Sequence, residues 1–364
     1  MPQNFSRPHF LYLDFLRGVA AFAVVLLHWF EGNGYNVFRH ALLAVDFFFM
    51  LSGFVICYSY EDRLRKGLGL IQFMKLRIIR LYPLILMGAT LGVARALGRY
   101  AIEGAETGGF QGIIALYALN LLMVPANIFD AAQSFMFPLN IALWSLFFEF
   151  IAYAFFGLFA YKWRITPYLI IAAISAVIIW PWIFTTSQTA IDAGPLPNNY
   201  ALNGIVSNEL AIGFFRMTLA FSLGILAFKL RKALNVSFIL APIIGVFMFV
   251  YFTLPAATVP AEIDMLIYLT VFPTILIVGS NIDVRQNHFV HRMSSFSGDL
   301  SYPLYVLHTP LIWILGWIAK KASIYIAIPH ILHGLWIIPV TVMISYVALK
   351  LYDEPTRSRL KPAA

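Results

Sequence analysis

Residues 13–30 read LDFLRGVAAFAVVLLHWF. A hydrocarbon core of about 30 Å needs around 20 apolar residues as a helix, and this run is close to that length. Yet it carries Arg17 and His28. At about 100° per residue their spacing returns to nearly the same face, with a rise of roughly 16 Å between them. An arginine inside a span costs about 2.5–3.5 kcal/mol on insertion scales, so a stripe of ionisable groups there is expected to line a cavity. The plainer alternatives are an Arg17 that snorkels to the cytoplasmic headgroups and a His28 hydrogen-bonded in the packing.

The rest of the chain has the same character. Of 364 residues 61% are hydrophobic and 12% charged, with 33 Phe, 18 Tyr and 8 Trp. Soluble proteins hold about 45–50% and about 25% respectively. Mean hydropathy is +0.80. A water-soluble protein of this size could not hide so much apolar surface, so the chain is read as a multi-pass membrane protein. The net charge of +8 comes from basic residues scattered between apolar runs. No basic block interleaved with exposed aromatics is present, so nucleic acid is not an expected partner. The lone Cys57 excludes an internal disulfide framework and a CxxC metal knuckle.

Apolar segments lie near 12–30, 41–60, 78–97, 112–126, 141–161, 167–184, 210–228, 237–254, 264–280, 300–319 and 331–349. If all eleven span, Lys162/Arg164 and Lys229/Arg231/Lys232 fall outside while the basic-free loop 185–208 falls inside. Treating 112–126 as re-entrant or peripheral corrects the pattern and puts 18 of the 25 Lys and Arg residues on the cytoplasmic side, as the positive-inside rule requires. The expectation is an all-α polytopic protein with ten transmembrane helices, both termini cytoplasmic, no cleavable signal peptide, and loop Thr185 to Asn208 outside.

Asp14, Arg17, His28, Asp46, Glu149, Arg216 and His308 are the ionisable groups placed where lipid should exclude them. Arg77 and Arg80, three apart at the start of a span, form a fork suited to phosphates or, more plainly, an anchor for anionic lipid. Asp46 and Glu149 are alternative carboxylates to orient His28, or clasps between helices. Ser301, Tyr305 and His308 share one helix face. Arg216 is read as snorkelling, and Ser52-Gly53 as a close helix crossing. His330 and His333 form an interfacial pair; nothing nearby completes a metal ligand set.

Five stretches together resemble the membrane acyltransferase-3 family of bacterial integral-membrane O-acyltransferases. They are residues 13–30, VDFFFMLSGFVI (45–56), FMKLRIIRLYP (73–83), LWSLFFEFIAY (143–153) and SYPLYVLH (301–308). The resemblance implies that residues 1–364 form a single integral-membrane acyltransferase domain in the cytoplasmic (inner) membrane. The expected form is the stand-alone one, without the soluble SGNH-type hydrolase domain of some relatives. It implies transfer of an acyl group, usually acetyl, from cytoplasmic acyl-CoA (acetyl-CoA as the usual donor) to a hydroxyl of an envelope or secreted glycan. Carried over by position, Arg17, His28, Arg77, Arg80 and Glu149 are functional, with Tyr153 and the Tyr305/His308 group in support. Phe150 departs from the family pattern, which often has a second acidic residue there; Phe15 stands where glycine is common.

Combining the two lines, Arg17, Arg77 and Arg80 are expected to bind the acyl-CoA phosphates. His28 is the expected base or transient acyl carrier, oriented by Asp46 or Glu149. Trp144, Tyr153, Tyr305 and His308 are expected to line the substrate path. A thioester is already activated, so no metal is required. The rival is a transporter or flippase for a lipid-linked glycan or small solute; the absence of a broken, Gly/Pro-interrupted helix pair in the two halves counts against it.

Overall fold

The computed structural model describes residues 10–35, 37–104, 109–126, 135–192, 210–255, 258–322 and 329–360, with 181–192, 261 and 286 described by backbone alone. Residues 193–208 of the loop expected outside lie beyond these residues, as do Arg7 and Lys361, two of the 18 basic residues expected on the cytoplasmic side. The protein is an all-α membrane protein: among the described residues there is no strand. Its helices are α1 (Leu11–Gly32), α2 (Leu43–Arg65), α3 (Leu70–Glu103), α4 (Gly109–Leu121), α5 (Leu143–Leu158), α6 (Ile165–Asp192) and α7 (Leu210–Leu230). Then follow α8 (Leu240–Thr253), α9 (Ala261–Leu266), α10 (Phe272–Gly279), α11 (His288–Lys321), α12 (Gly334–Ala348) and α13 (Glu354–Leu360).

Seven helical segments among the described residues are long and apolar enough to cross a membrane. Others are short: α5 has 16 residues and α8 has 14, about 24 Å and 21 Å of helix. Boundaries move where capping outweighs hydropathy. The segment expected at 300–319 begins at His288, because the Asn287 side chain accepts from the Phe289 and Val290 N–H groups and so satisfies the free amides of a new helix. The segment expected at 78–97 starts at Leu70 and stops at Gly104, whose φ of +63° terminates α3 as a left-handed glycine does. Helix α6 continues to Asp192, into the stretch expected as loop.

Contacts between helices give their relative directions. In α1 and α11, Asp14 meets Gly298, Gly18 meets Ser297, and His28 meets His308; both chains advance together, so the pair is parallel. Helices α2 and α7 are also parallel, with Asp46 on Arg216 and Glu61 on Lys229. Helices α3 and α5 are antiparallel, since Arg77 meets Tyr153 whereas Gly88 meets Asn140 and Gly92 meets Leu139 just before α5. Helix α4 turns back along α3: Tyr117 bonds Thr90, and the Leu121 carbonyl accepts from Tyr82. By Leu139 the chain is again beside Gly92.

The α2–α7 crossing is set by two glycines. A Cβ on Gly53 would run into the Phe221 carbonyl, and a Cβ on Gly224 into the Met50 carbonyl. Neither backbone can yield cheaply, and small residues let helices approach this closely in lipid. Gly224→Val is expected to destabilise the fold by about 1–3 kcal/mol through overpacking. Gly32→Ala, whose new methyl meets nothing within 4 Å, should be neutral. Thermal unfolding of the two variants in detergent checks this.

Candidate active site

A cavity of about 460 Å³ lies between α1, α2, α3, α5 and α11. Its walls include Arg17, Arg77, Arg80, Glu149, Tyr153 and Tyr305, six of the residues singled out from sequence. Along α2 it extends from Val45 to Ser59, about 21 Å of helix. A second cavity of about 20 Å³ continues beyond Val45, lined by Leu27, His28, Trp144, Tyr305 and His308 among others. Val45 and Tyr305 are the two residues that line both.

The arginines of the larger cavity differ in how they are held. Arg17 lies across the α1–α11 seam. Its Nε donates to Ser301 Oγ at 2.7 Å, one Nη to the Gly298 carbonyl at 2.7 Å, and the same nitrogen pairs with Asp14 at 2.9 Å. Arg77 donates to the Tyr153 hydroxyl at 3.1 Å and lies 4.7 Å above that ring. Arg77 and Arg80 are therefore not an equivalent fork. Arg80 is exposed on the cavity wall, and among the described residues it makes no hydrogen bond or ion pair. A cavity-facing guanidinium with its donors open is suited to phosphate.

Glu149 sits on the opposite wall, on α5. Ser52 donates to its Oε1 at 2.5 Å, and Tyr153, one turn further along α5, donates to the same oxygen. The chain Arg77–Tyr153–Glu149–Ser52 joins α3, α5 and α2 into one polar wall.

His28 and His308 stack with ring centroids 5.1 Å apart and planes 25° apart. His308 is fully buried. Its Nδ1–H donates to the Tyr305 carbonyl at 2.7 Å, with Thr309 Oγ1 3.0 Å from Nε2. These bonds fix the ring against which His28 rests. The expected face of Ser301, Tyr305 and His308 is thus present, each member meeting a different partner: Arg17, Ser145 and His28. Pro310 removes the N–H that the Val306 carbonyl would otherwise use; buried Asn140 supplies the replacement donor at 2.9 Å.

Neither carboxylate expected to orient His28 contacts it. Asp46, 2% exposed, forms a two-pronged pair with Arg216 at 3.2 and 2.6 Å. Arg216 accordingly does not snorkel: it turns inward, with Trp144 beneath it at 5.5 Å. Glu149 is taken up by Ser52 and Tyr153. The carboxylate beside His28 is Glu31, 3.7 Å from Nδ1, with its other oxygen 2.5 Å from Arg39. The His28–Glu31 separation of three residues signals a shared face, a cue that attention to mid-membrane carboxylates passed over. Ser52 and Ser145 were also missed as polar partners, since a serine in an apolar helix carries no sequence signal of what it bonds.

The described residues thus form an all-helical membrane protein with a basic cavity that adjoins a stacked histidine pair. A family model described as an acyltransferase domain matches residues 10–350, and the chain belongs to that family. It is a membrane acyltransferase, and the transport alternative gives way. The chain is similar to "Protein 2 in picA locus" of Rhizobium radiobacter, at 33% identity over 181 residues that cover 47% of this chain and 92% of the relative. No solved structure matches it.

The Asp46–Arg216 pair lies in the interior beside this site. Asp46→Asn leaves a buried guanidinium without its counter-charge, a loss of about 3–5 kcal/mol where such pairs have been broken. Unfolding in detergent should occur at a clearly lower temperature, and the double variant Asp46→Asn/Arg216→Gln should recover part of the loss.

Proposed function

We propose that this acyltransferase takes an acyl group, acetyl in the first instance, from cytoplasmic acyl-CoA and delivers it to a hydroxyl of an envelope or secreted glycan. The observation that carries this reading is Arg80: a guanidinium without a hydrogen bond or ion pair among the described residues, on the wall of a long cavity whose far end adjoins the His28–His308 chamber. The CoA phosphates bind against Arg80, with Arg77 and Arg17 lending charge from their fixed positions. The pantetheine arm extends between α2 and α11 toward Tyr305. The acceptor hydroxyl approaches from the other side, and His28 removes its proton as the thioester carbonyl is attacked. Glu31 is the nearest carboxylate available to orient that imidazole and stabilise its charged form.

The orientation that this requires is ten spans with both termini cytoplasmic in the bacterial inner membrane. Three helix pairs support it. With 112–126 not crossing, α1 and α11 both run outward, α2 and α7 both run inward, and α3 opposes α5. An eleventh crossing by that segment would reverse all three relations. The return of the chain beside Gly92 after α4 favours a re-entrant α4. Arg17, Arg77 and Arg80 then face the cytoplasmic side, where acyl-CoA is found.

Arg80→Ala should raise the KM for acyl-CoA about 10–100-fold, the equivalent of a charged hydrogen bond worth about 1.5–3 kcal/mol. His28→Ala should abolish transfer while leaving acyl-CoA binding intact. Both are measured with labelled acetyl-CoA and purified protein, using membranes of a deletion strain as the source of acceptor. Mass spectrometry of envelope glycans from deletion and complemented strains identifies the ester lost. Normal acylation in cells carrying either variant would overturn the reading.

A further inference from the structure

The donor cavity and the His28 chamber do not merge. They share only two walls, Val45 and Tyr305, and valine has no hydrogen-bonding side-chain atom. Tyr305 is thus the residue with a polar side-chain group that lines both spaces, at the end of the donor path. Its ring centroid is 6.0 Å from that of His308, and Phe48 packs edge-on at 5.2 Å. The residue is 6% exposed, so the ring is held by packing.

The Tyr305 hydroxyl already has a polar partner. Ser145 Oγ is 2.7 Å from Tyr305 Oη and 3.2 Å from the Ala142 carbonyl. A hydroxyl carries one proton and two acceptor sites, so in the Ser145–Tyr305 pair either oxygen can donate to the other. Tyr305 can therefore donate its proton, and its partner here is a neutral hydroxyl. An oxygen acquiring negative charge within reach is a stronger acceptor and captures that proton.

We propose that Tyr305 is a catalytic residue of the transfer proposed above: its O–H hydrogen-bonds the thioester carbonyl oxygen and stabilises the charge that develops there. The inference rests on that acyl-transfer reading and adds the electrophilic half of the site. The acceptor oxygen forms a bond to the carbonyl carbon as its proton passes to His28, and the carbonyl π pair moves onto oxygen, held by the Tyr305 O–H. Collapse re-forms C=O and breaks C–S with the electron pair leaving on sulfur. His28 returns the proton to that sulfur, giving ester and CoA thiol. Tyr305 stays protonated throughout, and Ser145 is its hydrogen-bond partner between turnovers.

Tyr305→Phe removes the hydroxyl and keeps the ring that walls the two cavities, so the fold should persist. With labelled acetyl-CoA and deletion-strain membranes as acceptor source, kcat should fall about 10²–10³-fold, as for loss of one oxyanion donor. The acetyl-CoA Kd from calorimetry should change less than about threefold. Ser145→Ala should cost less than Tyr305→Phe. Transfer by Tyr305→Phe within about threefold of wild type, beside an inactive His28→Ala, overturns this proposal and leaves the acyl-transfer reading standing. Loss of binding in proportion to loss of rate makes Tyr305 structural and likewise overturns it. A fully active His28→Ala overturns the acyl-transfer reading, and the Tyr305 role falls with it.

Discussion

A guanidinium in a membrane interior must find acceptors inside the protein, because lipid offers none. Arg17 finds three on one side of α1: Ser301 Oγ, the Gly298 carbonyl and Asp14. Two of these belong to α11, so satisfying one charge sets the register of two helices. From that register the rest of the centre follows. Ten and eleven residues beyond this anchor, parallel helices have risen by nearly the same amount, about 15–16 Å, and His308 arrives opposite His28. Glycines permit the approach: a Cβ on Gly18 would strike Ser297, and one on Gly298 would strike Asp14. One polar contact near one end of the helix pair thus places two imidazoles at the other.

The second clasp, Asp46 with Arg216, does the equivalent for α2 and α7. It fixes Val45 and Phe48, neighbours of Asp46 on α2, where they frame Tyr305 from two sides. The polar groups of the interior consequently divide into two kinds. Arg17, Asp46 and Arg216 are engaged with protein partners and hold helices together. Arg80 remains open toward a cavity, and Tyr305 lines two. Buried charges in membrane proteins are often functional, and here the partner, rather than the depth, separates the scaffold from the candidate machinery.

Much of this was legible in the sequence because it rests on periodicity. The Arg17–His28 stripe and the shared face of Ser301, Tyr305 and His308 follow from helical spacing, and the structure keeps both. The segment 112–126 was set apart from the spans by the charges of the other loops, and the helix there, α4, runs back along α3. What spacing cannot convey is which helix stands opposite. Asp46 and Glu149 were reasonable orienters of His28 at a suitable depth, but the α2–α7 crossing hands Asp46 to Arg216, and Tyr153, four residues along, takes up Glu149. Glu31 lay in plain view on the His28 face. Its pairing with Arg39 depends on the 3₁₀ turn at Arg39–Leu42, which no apolar pattern announces.

In the proposed reaction, the wall between the two cavities also bears on how an acyl group passes from donor to acceptor without a continuous leak. A thioester carbonyl needs to present only its carbon to the His28 side, and the remainder of the donor can stay behind Tyr305 and Val45. Phe48 and Phe49, on the donor side, and Trp144, on the chamber side, line these spaces with apolar surface beside Tyr305, Ser145 and the histidines. Water reaching this boundary would compete with the acceptor hydroxyl for the same electrophile. A chamber of about 20 Å³ holds little more than one water-sized group, so the acceptor itself must enlarge or fill it on arrival. Exclusion of water and admission of a hydroxyl are then a single event, and the residues that border both spaces are the ones that must respond to it.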